Sequence, residues 1–233
     1  MRILVIVPAY NEGKNLGPLV QSIRNFHAGQ LDLLVINDCS TDDTREVCCA
    51  CGIEAVHLPC NLGIGGAVQT GYKYAYENHY DIAIQLDGDG QHKPEYIAEL
   101  TKPIVNGQAD LVIGSRFINY EGYTSTWLRR VGIKYLSLLI KLLTGASITD
   151  PTSGFRACNS KVISLFARRY PVDYPEPESI VYLLRKGHRV MEVPVVMQER
   201  QSGRSSITSQ KSVYYMVKVT MAILIDRLRK PAI

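Results

Sequence analysis

Residues 82–113, IAIQLDGDGQHKPEYIAELTKPIVNGQADLVI, decide the fold. An apolar run at 82–86 stops at two aspartates and two glycines, 87–90. Apolar side chains then recur at helical spacing through 94–105, and a second short run follows at 110–113. Strand, turn, helix and strand in that order, with a connection too long for a hairpin, call for a parallel sheet.

The same unit repeats on the N-terminal side. A β-branched run at 2–7 stops at Pro8, and Asn11 can cap a helix reaching about residue 26. Strands are expected at 31–36 and 53–58, and helices at 41–51 and 63–78. Asp42 and Asp43 fall in the first turn of the 41–51 helix, where its dipole favours acids. Beyond Arg116 the alternation weakens. Apolar helices are expected at 127–143 and 213–228, a helix through 181–184, a strand at 189–197 and a polar loop at 200–206. The reading is an α/β protein with a mostly parallel central sheet and helices on both faces.

Length and composition fit that fold. The chain has 233 residues, 46% hydrophobic and 21% charged, which excludes disorder, collagen and coiled coil. The net charge of +4 is uneven: residues 200–233 hold seven Lys/Arg and one acid. A basic tail on a near-neutral body suits an anionic surface or substrate, with no nucleic acid implied. The most apolar run, 213–225, is too short to span a bilayer and contains Lys218. The N-terminus does not read as a signal peptide, so a cytoplasmic protein is expected. Cys39, Cys48, Cys49, Cys51, Cys60 and Cys158 are not spaced as a secreted disulfide framework and read as structural.

Polar clusters follow the expected strands directly, where ligands of parallel sheets bind. In QLDGDGQH (85–92), Asp87 and Asp89 point the same way, and like charges so close call for a cation. A hard ion, Mg2+ or Mn2+, suits carboxylates and phosphates together, with Gln91 and His92 as further ligands. The plain alternative is a solvated acidic turn. VPAYNE (7–12) offers the Tyr10 ring to a flat base, and Asn11 and Glu12 as hydrogen-bonding groups; a simple strand-to-helix turn is the alternative. In VINDCSTDDT (35–44), Asp38 suits a ribose hydroxyl or a base, or else supports a turn capped by Ser40 or Thr41. In NLGIGGAVQTGY (61–72), Asn61 precedes glycines, Gly66 among them, that open a helix like a phosphate cradle or merely pack closely. Arg116, the turn DPTSGFR (150–156) with Asp150, Ser153 and Arg156, Glu178, and the loop with Arg200, Arg204 and Ser205 complete the candidates. Arginines at such places suit bidentate phosphate contacts.

These motifs, in this order over residues 2–207, resemble glycosyltransferase family 2, and most closely its dolichol-phosphate mannosyltransferase and polyprenyl-phosphate glycosyltransferase branch. The resemblance implies a GT-A fold, a nucleotide-sugar donor and a divalent metal. It implies that Pro8, Tyr10, Asn11, Glu12, Asp38, Asn61, Gly66 and Asp87 bind the nucleotide, and that Asp87, Asp89 and Gln91 hold the metal and diphosphate. By the same resemblance Arg116 and Arg200 touch phosphates, with Asp89 and Asp150 also catalytic. Ser153, Arg156, Glu178 and Ser205 would line the sugar and acceptor site. Where mannosyl members often read Gly-x-Ser-Lys, this chain has Gly203, Arg204, Ser205 and Ser206. That departure tilts the expected donor from GDP-mannose to a UDP-sugar.

A polyprenyl phosphate acceptor is already anionic, so metal and arginines suffice and in-line attack with inversion is expected. A polysaccharide or protein hydroxyl would need a base, Asp150 or Glu178. A nucleotide-sugar-binding regulator at the membrane is the non-enzymatic alternative. The expected division is a transferase domain at 1–207 and a basic amphipathic helix at 208–233. That helix and 127–143 would dock peripherally on the cytoplasmic face of the membrane, alone or with a small membrane-protein partner.

Overall fold

The computed structural model describes residues 1–27, 31–119, 127–198 and 209–228. Its N-terminal half follows the alternating plan: β1 (Ile3–Ala9), α1 (Gly13–His27), β2 (Asp32–Asn37), α2 (Thr44–Ala50), β3 (Glu54–His57), α3 (Gly63–Glu77) and β4 (Ile82–Gln85). A 3-10 turn (Pro94–Tyr96) leads into α4 (Ile97–Val105) and β5 (Leu111–Ser115). Then come α5 (Trp127–Thr144), β6 (Arg156–Asn159), α6 (Ser160–Arg168), α7 (Pro175–Arg185), β7 (Val190–Pro194) and α8 (Ser209–Leu228).

The strands form one sheet in the order β3-β2-β1-β4-β6-β5-β7. β1 runs parallel to β2 and β4, and β5 parallel to β7. β6 is antiparallel to both neighbours, β4 and β5. The sequence pattern gave neither β6 nor α6. β6 is only four residues, RACN, and two of them are polar. Its reversed direction matters for the site. A strand inserted antiparallel brings the loop before it, rather than after it, to the carboxyl edge of the others. The turn 150–155 therefore meets the ends of β4 and β5, where Gly154 lies against Asp87 and Asp150 pairs with Arg116.

Alternating side chains of β1 feed two cores. Leu4 and Ile6 pack with Val68 and Tyr72 of α3 and Phe166 of α6. Val5 and Val7 pack with Leu16 and Leu19 of α1 and Leu100 of α4. Helices thus cover both faces, as the composition of the strands requires. Gly71 sits where α3 crosses β1, and a methyl group there would strike Ile6.

α8 packs on α5 and α7. Tyr215 meets Tyr174 edge-on at 4.5 Å, and Met216 Sδ fills the space over Gly132. The Tyr135 and Thr220 hydroxyls are 3.2 Å apart. The outer faces of both helices stay open. Trp127, Val131, Tyr135, Leu138 and Leu142 of α5 are exposed at helical spacing, as are Tyr214, Val217, Met221, Leu224 and Ile225 of α8. α5 carries Arg129, Arg130, Lys134 and Lys141 and no acid. Among the described residues, no helix is long and apolar enough to cross a membrane. The expected boundary at 207/208 falls at the edge of residues outside the description.

Candidate active site

β4 delivers Leu86 into the core and Asp87 to the carboxyl edge of the sheet. The Asp87 backbone N–H donates to His92 Nδ1 at 3.2 Å. His92 is itself buried and stacked on Phe155, ring centroids 5.0 Å apart. Its Nε2 faces Asp87 Oδ2 at 3.9 Å. His92 therefore closes the turn from beneath rather than standing beside a ligand. Gly90, at φ 74°, supplies the left-handed step that brings the Gln91 N–H back onto Asp89 Oδ1 at 3.0 Å. Gly154, from the turn before β6, lies flush against Asp87. A methyl group there would be 2.6 Å from Oδ2.

The Asp87 side chain keeps 34% of its surface open. Burial pushes its carboxyl up; His92 pulls it down and Asp89 pushes it up again. Two hard oxygen donors on one turn, with Asp89 adding to the proton affinity of Asp87, fit a divalent cation, which would relieve that repulsion. No cluster of three or more His, Cys, Asp or Glu suited to a metal occurs among the described residues. The donor diphosphate would have to supply further ligands. The Gln91 amide nitrogen donates to the Gln198 carbonyl at 3.3 Å, tying the turn to residues 197–198.

The loops after β1 and β2 are stitched together. Asn11 does not cap α1 as the sequence suggested. It adopts φ 57° and its Oδ1 accepts from Thr41 N at 2.8 Å, while its own N–H donates to Ser40 Oγ at 2.9 Å. Glu12 N donates to Thr44 Oγ1 at 3.0 Å. Tyr10, 51% exposed, presents an open ring at the strand end. Pro8 O lies behind Gly88, 3.1 Å from where a methyl group would sit.

Asp38 is buried, and both its oxygens are engaged by the start of α3. Leu62 N donates at 2.7 Å and Gly63 N at 2.9 Å. Asn61 Nδ2 donates to the Asp38 carbonyl at 3.1 Å. The Gly65 N–H goes to Val172 O at 3.0 Å. The glycine-rich helix start is thus used within the protein, by an internal carboxylate and by close packing. Gly66 sits over Leu62, where a methyl group would be crowded.

Arg116 and Asp150 form a buried pair. Arg116 Nε donates to Oδ2 at 2.6 Å and Nη2 to Oδ1 at 2.7 Å, with Nη2 also 3.0 Å from Thr152 Oγ1. Asp150 is 0% exposed and Arg116 8%. Arg116 stands just past β5 and Asp150 in the turn before β6, as the motifs placed them, but both are enclosed. From β7, Glu192 accepts from Thr149 N at 2.7 Å and Asp150 N at 2.8 Å, so its carboxylate clamps the same turn.

Arg156 and Ser153 are fully enclosed too. Arg156 Nη2 donates to Ser153 O at 2.6 Å and Nη1 to Ser179 Oγ at 3.0 Å. They form the floor under Asp87 and not its wall. Glu178 lies in the first turn of α7 and is partly exposed. Arg200 and Ser205 lie outside the described residues.

Four residues of this site carried no sequence expectation: Gly154, Gln85, Glu176 and Glu192. Gln85 Nε2 reaches Asp87 Oδ1 at 3.5 Å, and Tyr170 donates to Gln85 Oε1 at 3.3 Å. Burial raises the Glu176 carboxyl, against Arg156 and with Asp87. A glutamine inside an apolar strand and a glutamate inside VMEVP were the available signals, since buried polar groups need partners.

The profile of glycosyl transferase family 2 matches residues 4–166. The chain belongs to that family. It is 31% identical to a UDP-N-acetylglucosamine–dolichyl-phosphate N-acetylglucosaminyltransferase of Methanococcus voltae, over 83% of this chain and 84% of the relative. It is 30% identical to an undecaprenyl-phosphate mannosyltransferase of Micrococcus luteus, over 89% and 88%. A glucosyl-3-phosphoglycerate synthase of Mycobacterium tuberculosis, solved with Mn2+, UDP-glucose and phosphoglyceric acid, superposes with a TM-score of 0.76. The match covers 99% of this chain and 81% of that one at 21% identity, a likeness of fold. The family 2 chain has the GT-A architecture that its motifs implied.

Proposed function

We propose that this family 2 chain is an inverting, metal-dependent transferase. It moves a hexose or N-acetylhexosamine from a UDP-sugar to a polyprenyl phosphate. The acidic turn carries the reading: Asp87 and Asp89 stand at the carboxyl edge of the sheet, against the loops that hold Tyr10 and Asp38. The relatives named for dolichyl and undecaprenyl phosphates support the acceptor.

In this reading Asp87 and Asp89, with Gln91 beside them, hold Mg2+ or Mn2+, which would offset charge on the leaving diphosphate. Tyr10 stacks on the base. Asn11, Glu12, Asp38 and Asn61 shape the nucleotide loops, mostly through backbone and side-chain bonds to one another. His92, Gly154 and Arg156 fix the Asp87 carboxylate in place. Arg116 and Asp150 position the turn 149–155. Glu178 faces the acceptor side, and Arg200 and Ser205 are assigned the acceptor phosphate by their place in the sequence.

One observation favours the phosphate acceptor over a hydroxyl. Asp150, one of the two bases a hydroxyl acceptor could use, has both oxygens committed to Arg116, which leaves only Glu178 for that role. A lipid phosphate needs no such base. The chain would reach its lipid as a peripheral protein on the cytoplasmic face, through the open apolar faces of α5 and α8, with or without a small membrane-protein partner.

Stereochemistry tests the mechanism. The anomeric proton coupling of the lipid-linked product, made from an α-configured UDP-sugar, should report the β anomer. An α product would exclude direct in-line attack.

A further inference from the structure

The structure separates the six cysteines that the sequence treats alike. Cys48 and Cys158 are buried, whereas Cys60 is exposed and Cys39 partly so. Cys39 directly follows Asp38, and Cys60 directly precedes Asn61. The two thiols therefore sit on the two loops joined through the Asp38 carboxylate and the Asn61 amide.

The parallel ladder of β2 and β3 brings these loops side by side. Asn37 pairs with His57, and Leu58 N donates to Asn37 O at 2.9 Å. Cys39 takes a left-handed φ of 58°. Its Sγ–H points to the Pro59 carbonyl at 3.8 Å, and that carbonyl belongs to the peptide bond leading into Cys60. The Cys39 thiol thus lies against the backbone of the other cysteine, at the rim of the proposed nucleotide site.

We propose that Cys39 and Cys60 are a redox-sensitive dithiol whose closure to a disulfide weakens nucleotide binding. A glutathione-type disulfide is the oxidant. The exposed Cys60 thiolate attacks it, releasing one glutathione thiol and leaving a mixed disulfide. The Cys39 thiolate then attacks Cys60 Sγ and expels the second glutathione thiol. Both cysteine protons pass to solvent, and the two electrons reduce the oxidant to two thiols. The new bond would draw Cys39 out of its present turn and shift Asp38 and Asn61 with it. The effect on nucleotide binding rests on the proposed function; formation of the bond does not.

The test uses the full chain carrying Cys49→Ser and Cys51→Ser. It is incubated with oxidised glutathione, alkylated, and mapped by peptide mass spectrometry. UDP affinity is read by calorimetry in the presence of Mn2+. A Cys39–Cys60 cross-link, several-fold weaker UDP binding, and recovery with dithiothreitol are expected. Cys60→Ser in the same background should bind UDP equally well before and after oxidation. An alkylatable Cys39 after oxidation, or a glutathione adduct that stays on Cys60, would overturn the dithiol. A cross-link with unchanged UDP affinity would overturn its regulatory role. If no form of the chain binds UDP, the nucleotide assignment fails, and with it the regulatory role, while the mapping still reads the bond.

Discussion

The Asp150 carboxylate accepts from Arg116 Nε and Nη2 and is wholly enclosed, and that geometry changes what its substitution should do. Removing one partner of a buried ion pair strands the other charge. Asp150→Asn should therefore lower unfolding stability by about 3–5 kcal/mol, read from urea midpoints. Replacing Asp150 and Arg116 together should cost less than the two single changes combined. A stable Asp150→Asn that lost only turnover, with a changed pH profile, would restore it as a base. At this scale the sequence was partly legible. Asp87, Asp89 and Tyr10 were readable as candidates because they directly follow apolar strands, although Asp89 is itself buried. Asp150, Ser153 and Arg156 were readable as a cluster but not as a buried one. Their partners, Arg116, Ser179 and Glu192, come from other parts of the chain. Asp38 was readable as polar and well placed, yet no local pattern shows that its oxygens cap a helix 24 residues on.

Helices and parallel strands of the first half were legible as elements because each carries its own period. β6 was not, since four residues with two polar ones show neither helical nor strand periodicity. Its role is set by neighbours. Asp110, just before β5, ties three strands together: Asn159 Nδ2 donates to Oδ1 at 2.8 Å and Arg189 N to Oδ2 at 2.9 Å. Burial works against the Asp110 anion, but the bonds from Arg189 and Asn159 hold its pKa below the ordinary 3.8. A carboxyl depressed in the folded state stabilises fully above its unfolded pKa and loses that contribution as pH falls through the folded value. The melting temperature should therefore drop as pH falls below 3.8, and Asp110→Asn should show a shallower acid limb. An unchanged acid slope in that variant would remove Asp110 from the account.

Across the whole molecule, the site lies along one edge of the sheet, and the open apolar stripes lie on α5 and α8. The sequence showed both helices as apolar and basic. Only their packing shows which residues stay outside, because Ile133, Leu136, Val219 and Ile223 are taken by the core. With four cations and no acid on α5, the proposed docking calls for an anionic bilayer. Leu138→Glu with Val217→Glu should abolish flotation with anionic vesicles. Because both positions are exposed, stability should change by less than about 1 kcal/mol. Retained flotation would shift docking elsewhere on the chain. The central claim, that the acidic turn drives sugar transfer to a lipid phosphate, is tested most directly by one assay. Purified chain, Mn2+ and undecaprenyl phosphate are offered labelled UDP- and GDP-sugars, and label entering the organic phase is counted for the native chain and for Asp89→Ala. Transfer from a UDP-sugar by the native chain, lost in a folded Asp89→Ala, is the expected result. Undiminished transfer in Asp89→Ala, or donor binding without transfer from any sugar, would contradict the account.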